Sequence, residues 1–194
     1  MQFQIEGTTL VKYDFDHQEE TAAVPDGVEV IGKYAFYVRD KVKQVIIPPT
    51  VREIGVCAFM ESGIETVIIP DTVTKLGNEA FSRCTDLKKA VIGSGVTEIG
   101  DFTFRRCDSL EHLELPEGLK KVGYNAFEEC YSLKTVRVGG TEYRIRDRKA
   151  PESVRLVCES MEKTRRRMEE YYESGSMDEH EYIDYSIAGD GYSC

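Results

Sequence analysis

The 194-residue sequence predicts an α/β solenoid: a β-rich, right-handed superhelix of about five coils of 22–23 residues, with an N-terminal hairpin cap and a C-terminal helix. Three observations carry that expectation. The dipeptides Ile31-Gly32, Ile54-Gly55, Leu76-Gly77, Ile99-Gly100 and Val122-Gly123 place glycines 23, 22, 23 and 23 residues apart. A phenylalanine follows each glycine by four positions, at Phe36, Phe59, Phe81, Phe104 and Phe127. Pro25, Pro48, Pro70 and Pro116 open their coils, and Gly93 fills that slot in the fourth. Self-similarity at a fixed period of this length marks stacked repeats, in which no unit buries its apolar face alone.

The elements follow in chain order. In residues 1–24, Phe3-Gln-Ile5 and Leu10-Val-Lys-Tyr13 flank Glu6-Gly7-Thr8-Thr9, the pattern of a β-hairpin closing the first coil. Residues 25–138 hold the five coils. Each reads as a short strand such as Val28–Ile31, a glycine, a tight helical turn around Ala-Phe, and a second strand such as Leu110–Leu115. The glycine is expected to supply a positive φ or a close approach between coils. Side chains alternate along the second strand, so Val45, Val67, Ala90, Leu113 and Val136 form one inward column. Ile47, Ile69, Ile92, Leu115 and Val138 form the other.

Residues 139–173 make the C-terminal cap. Gly139-Gly140 ends the last coil, Glu142–Ile145 adds a strand, and Pro151 starts a helix running to about Glu173. Val154, Val157, Cys158, Met161, Met168, Tyr171 and Tyr172 lie at helical spacing and form its apolar stripe. That stripe caps coil five, with a dimer contact as the alternative. Residues 174–194 carry five acids and no Lys or Arg and read as an acidic flexible tail, although Tyr182–Ile187 has strand-like alternation.

The net charge of −10 argues against a protein that coats nucleic acid or anionic membrane. The excess sits at the ends: residues 1–24 carry one base against five acids, and residues 139–194 nine against thirteen. Lys163 and Arg165–Arg167 are matched by Glu159, Glu162, Glu169 and Glu170 at helical spacing, a solvated face rather than a nucleic-acid helix. No membrane span or signal peptide is visible, which points to the cytoplasm for the chain as written, or to the surface if a signal was trimmed.

Cys84, Cys107 and Cys130 each lie three residues after a repeat phenylalanine and so stack in one column. Parallel side chains about 4.8 Å apart suit neither a disulfide nor tetrahedral zinc, and the column reads as small buried filler. No metal or cofactor site is expected. Outward positions carry more freedom. On the first strand they read Val30, Glu53, Lys75, Glu98 and Lys121, a ladder of opposite charges joined by Glu29 beside Arg52. On the second strand Ile46, Ile68 and Val91 form an aliphatic strip that continues as His112, Glu114 and Arg137. These six are the candidate binding residues for a protein partner. His112 with Glu114 is the sole enzyme candidate, and it lacks an enclosing cleft.

The pattern P-x-x-V-x-x-I-G-x-x-A-F-x-x-C-x-x-L-x-x-V-x-I, seen best from Pro70 through Leu76-Gly77, Ala80-Phe81, Cys84 and Leu87 to Ile92, resembles the BspA-like class of leucine-rich repeat. The resemblance implies a bacterial leucine-rich repeat solenoid that is not an enzyme. It further implies a partner-binding scaffold working on a concave strand face, or a surface adhesion module for an extracellular ligand.

Overall fold

The computed structural model describes residues 2–14, 20–145 and 149–161. Two seven-stranded sheets run the length of the solenoid. The first is built from β1 (Gln2–Glu6), β2 (Thr9–Asp14), β4 (Val30–Ile31), β6 (Glu53–Ile54), β8 (Lys75–Leu76), β10 (Glu98–Ile99) and β12 (Lys121–Val122). The second, with longer strands, contains β3 (Thr21–Ala23), β5 (Gln44–Ile46), β7 (Thr66–Ile69), β9 (Lys89–Ile92), β11 (His112–Leu115), β13 (Thr135–Val138) and β14 (Thr141–Arg144). Strands of successive coils pair in parallel, because each coil returns the chain to its start one strand spacing further on. Among the described residues only the end pairs, β1–β2 and β13–β14, are antiparallel.

Register follows the repeat. Leu10, Ile31, Ile54, Leu76, Ile99 and Val122 stand opposite one another in the first sheet. The inward columns of the second sheet are buried as expected, from Val45 to Val136 and from Ile47 to Val138. Between the sheets stand the five repeat phenylalanines, all fully buried. Their rings stack from Phe36 to Phe127 at centroid separations of 4.7, 5.0, 5.3 and 5.3 Å, with planes within 11° of parallel. Each such contact contributes about 0.5–1.5 kcal/mol beyond the area it buries.

Around Ala-Phe the chain departs from the expected helical turn. It forms consecutive reverse turns, such as Gly77 O to Ala80 N (3.3 Å) and Phe81 O to Cys84 N (3.3 Å). Each has a positive φ at its third residue, Glu79 (54°) and Arg83 (59°). The same two positions are left-handed in all five coils: Tyr34 and Val38, Cys57 and Glu61, Glu79 and Arg83, Phe102 and Arg106, Asn125 and Glu129. None is glycine. The strain, about 1–2 kcal/mol per residue, is offset because this twist aims alternate N–H groups at the next coil. Glu79, Phe81 and Arg83 donate to the carbonyls of Asp101, Thr103 and Arg105 at 2.9, 2.9 and 2.7 Å. A helical turn would spend those donors within its own coil. The repeat glycines act by close approach instead: a Cβ on Gly77 would lie 2.6 Å from the carbonyl carbon of Gly55.

Both ends continue this pattern. The N-terminal segment is a hairpin, and it is also a partial coil in register with the rest. β2 pairs in parallel with β4, and β3 with β5. Tyr13 takes the place of a phenylalanine: its ring is 5.1 Å from Phe36 and its N–H donates to Ala35 O at 2.9 Å. At the other end β14 forms one residue earlier than expected, and a helix, α1, covers residues 152–161. Val154, Val157 and Cys158 are buried, and Ser160 Oγ accepts the outward N–H of Phe127 at 3.2 Å. This part of the stripe is used within the chain. The extension to Glu173, the basic residues Lys163 and Arg165–Arg167, and the acidic tail lie outside the described residues.

Val38 isolates the cost of the left-handed turn, since it is β-branched, has φ 53° and is 45% exposed. Val38→Gly is expected to raise stability to urea by about 0.5–1 kcal/mol. Tyr37→Gly, at a position without positive φ, should lower it. A loss in both variants would contradict stored strain at the turn.

Candidate functional site

The outward face of the second sheet carries two columns. One reads Thr21, Gln44, Thr66, Lys89, His112, Thr135, and the other Ala23, Ile46, Ile68, Val91, Glu114, Arg137. Strand alternation places them there, since the residues between point into the core. Ile46 is 51% and Ile68 56% exposed, large values for isoleucines on regular strands. Val91 and Glu114 are half-buried, while His112 and Arg137 are exposed. The structure thus brings the six candidate residues onto one face, with the aliphatic end towards the N-terminus.

The aliphatic end forms a groove of about 310 Å³ lined by Gln44, Val45, Ile46, Ile47, Pro49, Thr66, Ile68 and Pro70. Ile46 and Ile68 form its exposed wall, and the two prolines close one side. Pro49 and Pro70 as lining residues were not among the sequence candidates. The signal was present for Pro70, the coil-opening proline that directly follows β7 and so borders its face, whereas Pro49 lies one residue after the opening Pro48, which is buried. Proline lacks an N–H, so this rim offers no backbone donor. The strands beneath are hydrogen-bonded on both sides, so no further strand can insert among them. Recognition on this face therefore runs through side chains.

Charges flank the groove in an ordered way. Lys43 pairs with Asp86 at 2.8 Å and Lys88 with Glu65 at 2.8 Å. Lys89, directly opposite Thr66 in register, makes no ion pair among the described residues. On the other sheet, the expected ladder forms between Glu53 and Lys75 (2.6 Å) and between Glu98 and Lys121 (3.6 Å). Glu29 and Arg52 stand beside each other, with Arg52 N–H donating to Glu29 O at 2.7 Å, but their side chains do not pair. Arg52 is long enough to fold back onto its own coil, donating to Pro49 O at 3.1 Å, while Glu29 accepts from Thr8 Oγ1 at 3.4 Å.

Among the described residues no hydrogen bond or ion pair joins His112 to Glu114. The carboxylate nearest His112 is that of Glu111, 4.0 Å away, and the imidazole is 69% exposed on an open face. Among the described residues no group of His, Cys, Asp and Glu is arranged to hold a metal ion, and no helix is long and apolar enough to cross a membrane.

The cysteine column is buried and has a role the sequence reading missed. Cys84 donates its thiol to Phe59 O at 3.0 Å, Cys107 to Phe81 O at 3.2 Å and Cys130 to Phe104 O at 3.1 Å. Arg39, at the equivalent position of the first coil, donates Nε to Tyr13 O at 2.9 Å. In four of the five coils the position three residues after the repeat phenylalanine thus donates to the aromatic residue's carbonyl one coil back, while Ser62 in the second coil instead meets Cys84 Sγ at 3.4 Å. Burial pushes the Cys84 thiol up to about 12 and raises those of Cys107 and Cys130 as well. Protonated thiols of this kind are neither nucleophiles nor metal ligands.

Parallel sheets stacked coil on coil, with a phenylalanine core and one open side-chain face, define a leucine-rich repeat β-solenoid. The chain belongs to the BspA-type leucine-rich repeat family, whose model matches residues 8–148 in six copies. The match starts at residue 8 and so takes in the partial coil of β2 and β3. No curated protein matches the chain. Among solved structures, the pneumococcal vaccine antigen PcpA is 28% identical with a TM-score of 0.55, over 62% of this chain and 31% of that protein. A leucine-rich repeat protein from Bacteroides capillosus is 25% identical with a TM-score of 0.46, over 71% of this chain and 91% of that one. A leucine-rich cell surface protein from Faecalibacterium prausnitzii is 22% identical with a TM-score of 0.44, over 75% and 47%. The chain spans less than half the length of the first and third.

The raised thiols make alkaline stability a test of the column. A group whose folded pKa is raised stabilises fully below its unfolded pKa, near pH 9, and loses that contribution as the pH climbs towards 12. Cys84→Ser keeps a small donor that does not titrate there. Under reducing conditions the unfolding free energy of the unsubstituted chain is expected to fall more steeply above pH 9, by about 1.4 kcal/mol per pH unit for the one thiol. Parallel curves for the two proteins would contradict a buried protonated thiol at position 84.

Proposed function

We propose that the chain is a non-enzymatic interaction module that binds a partner protein through the outward face of the second sheet. The observation that carries this reading is the exposure of Ile46 and Ile68 side by side on a regular sheet. Apolar side chains there lose solubility and gain no core burial, so a surface that keeps them is suited to being covered. Val91 extends the strip, and His112, Glu114 and Arg137 supply the polar end that sets orientation. The family supports the reading in general terms, since leucine-rich repeats are binding scaffolds.

A second reading places the same face at a cell surface, as an adhesion module for an extracellular ligand. It draws on the pneumococcal neighbour, which is a vaccine antigen. A leader or anchor segment encoded with this chain would favour that location, and the first reading does not depend on it.

The test is affinity capture from native lysate with the chain and with a triple variant, Ile46→Lys, Ile68→Lys and Val91→Lys. These positions lie outside the core, so circular dichroism and melting are expected to be unchanged. Partner recovery should fall at least tenfold. Equal recovery of the same partner by a folded triple variant would overturn the binding face.

A further inference from the structure

We infer that the occupant of the Ile46–Ile68–Val91 strip is an amphipathic α-helix whose apolar stripe is flanked by acidic residues. The inference rests on the proposed binding face and specifies what it takes. The first argument is spacing. The strip crosses three coils, whose strands are about 4.8 Å apart, so its side chains repeat at that interval along the solenoid. A helix laid along the same direction presents one face every ~5.4 Å and drifts only about 1 Å over the two steps. An extended chain repeats a face every ~6.8 Å and drifts about 4 Å, losing register within the strip. Apolar residues at i, i+4 and i+7 of a helix therefore meet all three coils.

The surroundings reinforce that geometry. A strand would need a sheet edge for its backbone groups, but the strands under the groove are paired on both sides and the proline rim has no N–H to offer. A helix satisfies its own backbone and asks only for side-chain contact. The groove bounded by Ile46, Ile68, Pro49 and Pro70 is large enough to take an apolar anchor.

Charge sets the flank. Beside the groove on the neighbouring column stand the uncharged Gln44 and Thr66, and then Lys89. The lysines nearby at 43 and 88 are engaged by Asp86 and Glu65. Lys89 has no ion pair among the described residues and sits two residues from Val91 on the same face. A carboxylate one helical turn along from the anchor would find a cation that does not already hold an acid. A lysine there would meet like charge.

The test uses the full chain with labelled isoleucine methyl groups and stapled helical peptides as probes. The first peptide carries leucines at i, i+4 and i+7 with glutamates along the Lys89 flank. The second replaces those glutamates with lysines, and the third sets the same residues in an alternating, extended order. The first is expected to move the Ile46 and Ile68 methyl signals and to bind at least tenfold tighter than either other peptide. In Lys89→Glu the preference between the first two should reverse. Absence of methyl shifts, equal binding of the three peptides, or a charge preference unaltered in Lys89→Glu would overturn the inference. Methyl signals that move on dilution of the chain alone would assign the strip to a second copy and overturn it too. If capture of a partner depends on Ile46, Ile68 and Val91 while the peptides show no preference, the helix falls and the binding face stands. If the triple variant captures normally, both fall.

Discussion

Each coil is fastened to the next at its phenylalanine, and the remaining architecture depends on that joint. The ring stacks on the rings above and below at 4.7–5.3 Å, while the same residue's N–H crosses to the next coil. Apolar stacking alone would let coils slide or rotate, and hydrogen bonds alone would leave the centre of the coil unfilled. Together they fix both the separation and the azimuth of successive coils. The price is a left-handed turn on each side of the ring, maintained at ten non-glycine residues. Substitutions that respect the joint are tolerated: Thr103 replaces the usual alanine, and its hydroxyl is satisfied by Gly100 O at 2.8 Å.

The ends show the same constraint. A solenoid that stops leaves N–H groups aimed at a coil that does not exist. Here Ser160 of α1 accepts from Phe127, and α1 covers the apolar end of the stack with Val154 and Val157. At the start, Tyr13 extends the ring column, Phe3 covers it with its ring 5.0 Å away, and Arg39 reaches back to the Tyr13 carbonyl. The function proposed for the outward face is compatible with this because the face takes no part in the joint. Its residues answer to neither the ring stack nor the turn bonds, so they are free to serve a partner.

Features that repeat at side-chain level were legible in the sequence. The glycine and phenylalanine spacing revealed the coils, and alternation on the second strand separated Val45 and Ile47 from Ile46 and so defined the candidate face. Features written in backbone geometry were not. Glu79, Arg83 and Asn125 are ordinary residues for a helical turn, and nothing in their identity announces a positive φ. The partial first coil was hidden because Leu10, Tyr13 and Ala22 occupy the repeat columns without the glycine and phenylalanine that mark the others. The cysteines looked like filler because a thiol's size is evident from its position while its donor role depends on which carbonyl lies one coil back. Arg52 was misplaced for a related reason, its reach allowing a partner within its own coil that register alone does not reveal.

The most direct test of the joint is Phe81→Ala, at the middle ring, read by urea denaturation together with native-state hydrogen exchange. The account predicts a loss of about 3–5 kcal/mol, with the amides of Phe59 and Phe104 losing protection along with those of the altered coil. A loss below about 1 kcal/mol, or exchange that quickens only within residues 70–92, would contradict the view that the coils are held as one unit through this column.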